Sequence, residues 1–323
     1  MKPPRSQRGL ALISALLVVS LAGVLGTARI FSLQMESQSS RTLIGNARAR
    51  MMALGIEELA AEMLSADARS SASDHRGERW AQGISESISG QGAFRGSMED
   101  MQGRFNVNNL VTFQGTADMI AVAQFQRLLR ILDLDDTLAY KAMDWMDADN
   151  LPQPLVGAED EAYTRLDPPY QAPNRPLEDV SELLAVEGFS AAVWSALAPH
   201  ITALPVPGPP TPINLNTASE PVLMSLADDL DPVRARFWLE SQKSGGIRDL
   251  AEAQRALPSG MARRVAIASN WFQLRVAINV EGARFFLASL LDRESGTVRT
   301  RWRRQGIPAE AWLAQWPPQG AEG

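Results

Sequence analysis

The chain has 323 residues, a formal net charge of −6 and no cysteine. The lack of cysteine excludes disulfides, thiol nucleophiles and thiolate metal sites, so the core and any bound ions must hold the fold. The acidic balance argues against nucleic-acid binding, and a hydrophobic share of 45% suffices for a core outside any membrane segment.

Lys2, Arg5 and Arg8 precede Gly9, and nineteen uncharged, mostly apolar residues follow from Leu10 to Ala28. As a helix that run is about 28 Å long, enough to cross a hydrocarbon core of roughly 30 Å. Positive charge ahead of the run places the N-terminus in the cytoplasm and the bulk of the chain across the membrane. The small residue stands before the apolar run, whereas an ordinary secretory signal carries its cleavage site after it. The order Gln7-Arg8-Gly9, then Leu10-Ala11-Leu12-Ile13, resembles a type IV prepilin-like leader. That resemblance implies cleavage after Gly9, methylation of the new N-terminus at Leu10, and retention of the apolar helix. Two other readings stay open here: a cleaved signal peptide with Gly26-Thr27-Ala28 as its site, and an uncleaved single-span anchor.

Beyond Ala28 apolar residues continue at three- and four-residue steps through Phe31, Met35, Leu43, Ala47, Met51, Leu54, Leu59 and Met63. No proline occurs between Pro4 and Pro152. The spacing predicts a helix from about Leu10 to Leu64, its first part in lipid and its second packed by one face on a soluble body. Two separate helices are the alternative. Residues 66–90, rich in Ser, Ala, Asp and Gly, read as a loop, and strand-like spacing follows from Gly92 to Val107. A helical block is expected from about Ala117 to Ala203, a proline-rich linker from Pro205 to Pro212, and a second helical block from Ser219 to Ile267. The chain closes with strands at Trp271–Val280, Arg284–Leu291 and Val298–Trp302, with turns at Gly282 and Ser295-Gly296. Strands flanking a helical insert predict one sheet split by an inserted domain, an α+β fold.

Phe105-Asn106-Val107-Asn108-Asn109-Leu110 and Ile213-Asn214-Leu215-Asn216-Thr217-Ala218 share an Asn-apolar-Asn core ahead of a helical block. With Thr217 or Ser219 as a helix cap before Pro221, the pair looks like a duplicated SAM-like, helix-hairpin-helix unit. Such units often bind DNA through a glycine-rich hairpin, but here that place reads Leu226-Ala227-Asp228-Asp229-Leu230, and two acids there repel phosphate.

Charge is uneven. From Asp133 to Glu187 fourteen acidic residues stand against Lys141, Arg165 and Arg175, while the C-terminal region carries Arg299, Arg301, Arg303 and Arg304. Within the acidic stretch, Asp144 and Asp147 fall on one helix face, a Pro152/Pro154 turn follows, and Gly157-Ala158-Glu159-Asp160-Glu161-Ala162-Tyr163 brings a second carboxylate set. Converging carboxylates repel unless a hard cation joins them, and calcium takes six to eight oxygens in flexible geometry. A solvated acidic face is the competing reading. His75 and His200 are the only histidines, and no nucleophile elbow or phosphate loop is present, so paired acids leave a periplasmic hydrolase as a remote alternative.

Taken in order, the leader (Arg8 to Ile13), Gly103 to Leu110, Asp144 to Asp149, Gly157 to Tyr163, Pro169-Tyr170-Gln171-Ala172-Pro173-Asn174-Arg175-Pro176-Leu177 and Ile213 to Ala218 resemble the type II secretion system minor pseudopilin K family. The resemblance implies a leader over 1–9, an N-terminal helix over 10–66 with 10–28 transmembrane, and a pilin-like antiparallel β body over 67–112 and 268–323. It implies two SAM-like helical units over 113–212 and 213–267. It further implies a single-pass inner-membrane protein with its bulk in the periplasm, processed by prepilin peptidase and served by the inner-membrane assembly platform. Its place would be the tip of the pseudopilus, with minor pseudopilins I and J and then pseudopilins H and G. No nucleic acid is expected, and no enzyme activity. Calcium is expected at Asp147, Asp149, Glu159 and Asp160, with Asp144 and Tyr163 as further ligand candidates. Most pilin-like subunits carry Glu at the fifth mature position; here it is Ser14, which suits a subunit with none ahead of it. The rival is a membrane-anchored helix-hairpin-helix DNA-uptake protein.

Overall fold

One helix, α1 (Arg5–Ser70), accounts for 66 residues. At about 1.5 Å per residue it is roughly 100 Å long. The computed structural model describes residues 5–88, 92–154, 156–228, 230, 232–280, 282–293 and 297–306, with side chains at all of these but 5–11, 85–88 and 232. Residues 1–4 of the leader, Asp229 of the hairpin and the Ser295-Gly296 turn lie outside the described residues. The backbone at Gly9 and Leu10 belongs to α1, whose start falls before the expected Leu10 because nothing in Arg5 to Arg8 breaks a helix. The helix is continuous, so the two-helix reading fails: Gly45 and Gly55 each cost a helix only about 1 kcal/mol relative to alanine. Among the described residues α1 is the one helix long and apolar enough to cross a membrane.

The lower part of α1 is exposed along its length, with Leu16, Leu17, Val18 and Val24 bare. Burial begins where small residues recur on one face: Ala49, Ala53, Glu57, Ala60 and Leu64 are all buried. Small side chains let the helix lie close against a sheet. A Cβ on Gly45 would come within 3.1 Å of the Ala283 Cβ, which shows how close.

That sheet has five antiparallel strands: β1 (Ile84–Ile88), β2 (Gly92–Asp100), β7 (Trp271–Val280), β8 (Ala283–Asp292) and β9 (Arg299–Gly306), in the order β1-β2-β7-β8-β9. β1 corrects the expected loop over 66–90: Ile84, Ser85, Glu86, Ser87 and Ile88 pair with Gly96 to Gly92 despite a polar sequence. β2 and β7 run side by side from Gly92↔Val280 to Asp100↔Phe272, so everything between them is an insertion. Alternation in β7 places Phe272, Leu274, Val276 and Ile278 under α1, where Phe272 also meets Trp80 edge-on at 5.1 Å. Gly282, at φ +81°, turns β7 into β8. The latter strand is tied to α1 by Glu57, buried among Ser289, Thr300 and Arg303.

The insertion holds its own core, in which Phe105 stacks on Phe125 at 5.1 Å among Leu128, Leu129, Met143, Leu197, Leu215 and Leu223. Its elements are β3 (Phe105–Asn106), α2 (Met119–Ile131), α3 (Leu138–Asp144), α4 (Asp160–Tyr163), α5 (Ala191–Leu197) and β4 (Ile201–Thr202), then β5 (Ile213–Asn214), α6 (Glu220–Met224), α7 (Pro232–Lys243), α8 (Leu250–Arg255), α9 (Ser259–Ala262) and β6 (Val265–Ala266). Val180–Ala185, expected as α-helix, is a 3-10 helix with an Asp179/Glu182 capping box.

The two Asn-apolar-Asn segments build the same device twice. β3 pairs in parallel with β4, and β5 with β6. Asn106 Oδ1 accepts from Asn108 N, as Asn214 Oδ1 accepts from Asn216 N. The second asparagine then grips an incoming backbone at both ends: Asn108 accepts from Leu177 N at 2.8 Å and donates to Leu177 O at 2.9 Å. Asn216 treats Ile247 likewise, at 2.6 and 3.2 Å. A carboxamide carries one donor face and one acceptor face, so it can mimic a strand neighbour where no strand is present. The two units are joined by Arg264, which pairs with Asp118 at 2.8 Å, and by Arg127, which donates to Ser225 O.

Candidate metal centre in the inserted domain

α3 ends at Asp144, and the chain turns through Trp145 to Asp149 before the Pro152/Pro154 loop returns it to α4. Asp144 is fully buried. Its Oδ2 accepts from Gln153 N and Ala158 N, both at 3.0 Å, and so holds the two ends of the loop together. Gly157 is required there, because a Cβ on it would lie 2.0 Å from Asp144 Oδ2.

This loop brings Asp147, Asp149 and Glu159 together, with one carboxylate oxygen of each within 4.8 Å of the others. Asp147 and Glu159 are 5% and 4% exposed. Asp144 Oδ1, Asp147 Oδ1 and both Glu159 oxygens are buried without a hydrogen-bond partner. Burial, reinforced by neighbouring carboxylates, pushes Glu159 up to about 8 and Asp147 up to about 7. Asp144 is raised to about 6 by burial against the opposing pull of its two backbone bonds. Orphaned oxygens at this density, with no lysine or arginine paired to them among the described residues, fit a hard divalent cation.

The remaining predicted ligands have other partners. Asp160 accepts from Ala172 N at 2.9 Å and from Gln171 Nε2, and so fastens the following loop. Tyr163 is fully buried, stacked on Tyr170 at 5.4 Å and edge-on to Trp145 at 4.9 Å, and its hydroxyl meets Glu187 N. It is an aromatic wall of the site; burial raises its ionisation further above the ordinary tyrosine range. Asp144 and Asp147 do not share a helix face, since α3 stops at Asp144. Asn174, not among the expected site residues, also reaches the site: at φ +47°, its Nδ2 donates to Asp149 O at 3.3 Å and to Asn150 Oδ1 at 2.6 Å. Its place in the Pro169–Leu177 motif was the available signal.

Elsewhere the chemistry is thin. His200 Nδ1 meets Ser219 Oγ at 2.8 Å, but among the described residues no carboxylate orients that imidazole. At the hairpin position Asp228 pairs with Arg127 and lies 3.8 Å from Arg130. The hairpin position therefore presents an acid ion-paired with two arginines, not the glycine-rich backbone that such units use to grip DNA phosphate. Ser14 lies on the exposed lower part of α1.

Residues 103–206 and 213–275 each match a family model for type II secretion system (T2SS), protein K. The chain is 32% identical over 318 residues to the type II secretion system protein K of Pseudomonas aeruginosa, covering 94% of each. It is 33% identical to that of Klebsiella pneumoniae, covering 95% of this chain and 98% of the relative. A solved structure described as the GspK-GspI-GspJ complex from the enterotoxigenic Escherichia coli type 2 secretion system contains a similar chain. It matches with a TM-score of 0.70 at 25% identity, over 85% of this chain and 100% of that one. On both its fold and its sequence, this chain belongs to the type II secretion system protein K family.

Proposed function

We propose that this minor pseudopilin caps the periplasmic pseudopilus, where it assembles with minor pseudopilins I and J, nucleates growth of the filament below, and so supports export of folded proteins across the outer membrane. The observation that carries the reading is the insertion between β2 and β7: two packed helical units on a pilin-like body are bulk that an interior position in a helical stack has no room for. Ser14 agrees with it, since the position that pairs with a neighbour's N-terminal amine in most pilin-like subunits here lacks a carboxylate. The apolar part of α1 anchors the chain in the inner membrane with its N-terminus cytoplasmic and its bulk periplasmic. Prepilin peptidase cleaves after Gly9 and Leu10 becomes the methylated N-terminus. Small residues such as Ala15, Ala22, Gly23 and Gly26 permit close approach of partner helices in lipid. Pseudopilins H and G follow below, fed by the inner-membrane assembly platform.

The role is structural, without catalysis. Asp147, Asp149 and Glu159 would hold a calcium ion, with Asp144 and Asp160 fixing the loops that carry them. When bound, the ion supplies the positive charge this cluster lacks. The chain's own part is to hold those carboxylates close, Asp147 and Glu159 buried and Asp149 at the exposed rim, so that binding stabilises the inserted domain.

The test is coexpression of the full chain with minor pseudopilins I and J, affinity capture in detergent, and intact mass of the captured chain. A ternary complex containing a chain that begins at methylated Leu10 is expected. A folded chain that captures neither partner overturns the tip assembly, and one that begins at Arg29 overturns the pilin-type processing.

A further inference from the structure

A second group of carboxylates lies far from the inserted domain's loop, where α1 ends. Asp67 stands in the last turns of α1, and Asp74 and Glu78 on the segment that leads into the 3-10 turn Arg79–Gln82. One oxygen of each lies within 4.8 Å of the others. Asp74 is 1% exposed. Its Oδ2 accepts from Ser269 N at 2.7 Å and from Arg293, but its Oδ1 is buried with no partner. Glu78 commits Oε2 to His75 N and to Trp80 Nε1, at 3.0 and 2.8 Å. Its Oε1 lies 3.8 Å from His75 Nε2. Arg293 bonds to Asp67 Oδ2 at 3.2 Å and to Asp74 Oδ2, donates to Ser269 O, and covers the Phe272 ring.

The charge count is the argument. Three carboxylates face one guanidinium, so counted together these four side chains, when ionised, carry two uncompensated negative charges in a half-buried recess. The unmatched pair of charges equals that of a divalent cation, and the donors left over are hard oxygens. We propose that Asp67, Asp74 and Glu78 form a second calcium site, which pins the end of the stem helix to the β body beside Arg293. The competing occupant is a proton shared between Asp67 and Asp74, which would satisfy the same orphan oxygen without any metal.

The experiment uses the full chain in detergent, with Asp147→Asn and Glu159→Gln together to silence the inserted domain's cluster. Calcium titration by calorimetry is expected to show one ion still taken up per chain. Terbium in its place is expected to emit by energy transfer from Trp80, whose indole touches Glu78. Adding Glu78→Gln, which keeps an acceptor for Trp80 and His75 N, should weaken uptake at least tenfold, and so should the less buried Asp67→Asn. Trp80→Phe should remove the terbium emission and leave calcium uptake in place. A folded double variant that takes up no calcium would establish the shared proton and overturn the site. So would uptake indifferent to both Glu78→Gln and Asp67→Asn. If Asp147→Asn and Glu159→Gln change nothing while Glu78→Gln abolishes uptake, the inserted-domain site fails and this one stands.

Discussion

The sharpest prediction concerns pH and calcium together. In the metal-free chain Glu159, Asp147 and Asp144 are raised to about 8, 7 and 6. In the unfolded chain all three ionise near pH 4. The folded form therefore binds more protons than the unfolded form throughout that interval, and its stability falls as pH rises. Between pH 6 and pH 8 Glu159 keeps its proton for most of the window, Asp147 for half of it and Asp144 for little. That is roughly three proton-units, or on the order of 4 kcal/mol at about 1.4 kcal/mol per unit. At about 2–4 °C per kcal/mol, the figure for domains of roughly 150–250 residues, the metal-free melting temperature of the inserted domain should drop by roughly 8–16 °C. Saturating calcium keeps the carboxylates ionised in the fold and removes most of that slope. The assay is scanning calorimetry of the full chain with calcium or chelator at pH 6, 7 and 8. The gap between the two curves should widen with pH, and Glu159→Gln should remove about half of the metal-free slope. A gap that is absent, constant or widest at pH 6 refutes the reasoning.

Other changes should be as discriminating. Gly157→Ala forces a Cβ to within 2.0 Å of Asp144 Oδ2 and 2.3 Å of Gln153 N, so the loop must open. Calcium affinity by calorimetry should fall at least tenfold, and unchanged affinity would mean the loop does not shape the site. Glu57→Ala strips the acceptor from Arg303, Ser289 and Thr300 and should cost about 2–3 kcal/mol, less than a fully buried pair because Arg303 can turn to water. Thermal or urea unfolding measures it, and a loss below about 0.5 kcal/mol would show that the latch is idle. Ser14→Glu should barely impair secretion of an exoprotein in a complemented deletion strain; a severe defect counts against the tip position.

Periodicity reported the parts of this fold that repeat. The stem helix was readable because apolar residues recur every three or four positions without a proline, and β7 because Phe272, Leu274, Val276 and Ile278 alternate with Gln273, Arg275, Ala277 and Asn279. β1 was not, since Ser85 to Ser87 carry no apolar alternation and depend on pairing with β2. Within the acidic stretch, composition marked the region but not the roles. Asp144, Asp147, Asp149, Glu159 and Asp160 are chemically alike, and only tertiary placement tells which carboxylates meet backbone N–H groups and which are left bare. Asn174 was invisible as a site residue because its reach depends on a left-handed backbone conformation. The Asp67–Asp74–Glu78 group escaped for a different reason: its balancing Arg293 lies more than two hundred residues away along the chain.

The split of the sheet has a consequence for the order in which the molecule can form. Asp100 and Phe272 are partners on neighbouring strands, yet the whole insertion is made between them. As the chain emerges from its N-terminus, β1 and β2 can close their hairpin early, but the inner edge of β2 must wait for β7. Joining ends across an unstructured segment becomes costlier with its length, though slowly. A segment already folded, with its entry and exit side by side, shortens the search instead. The helical units therefore act as an internal template during biogenesis: they bring β7 to β2, and until they do, a bare strand edge is the chain's most vulnerable surface.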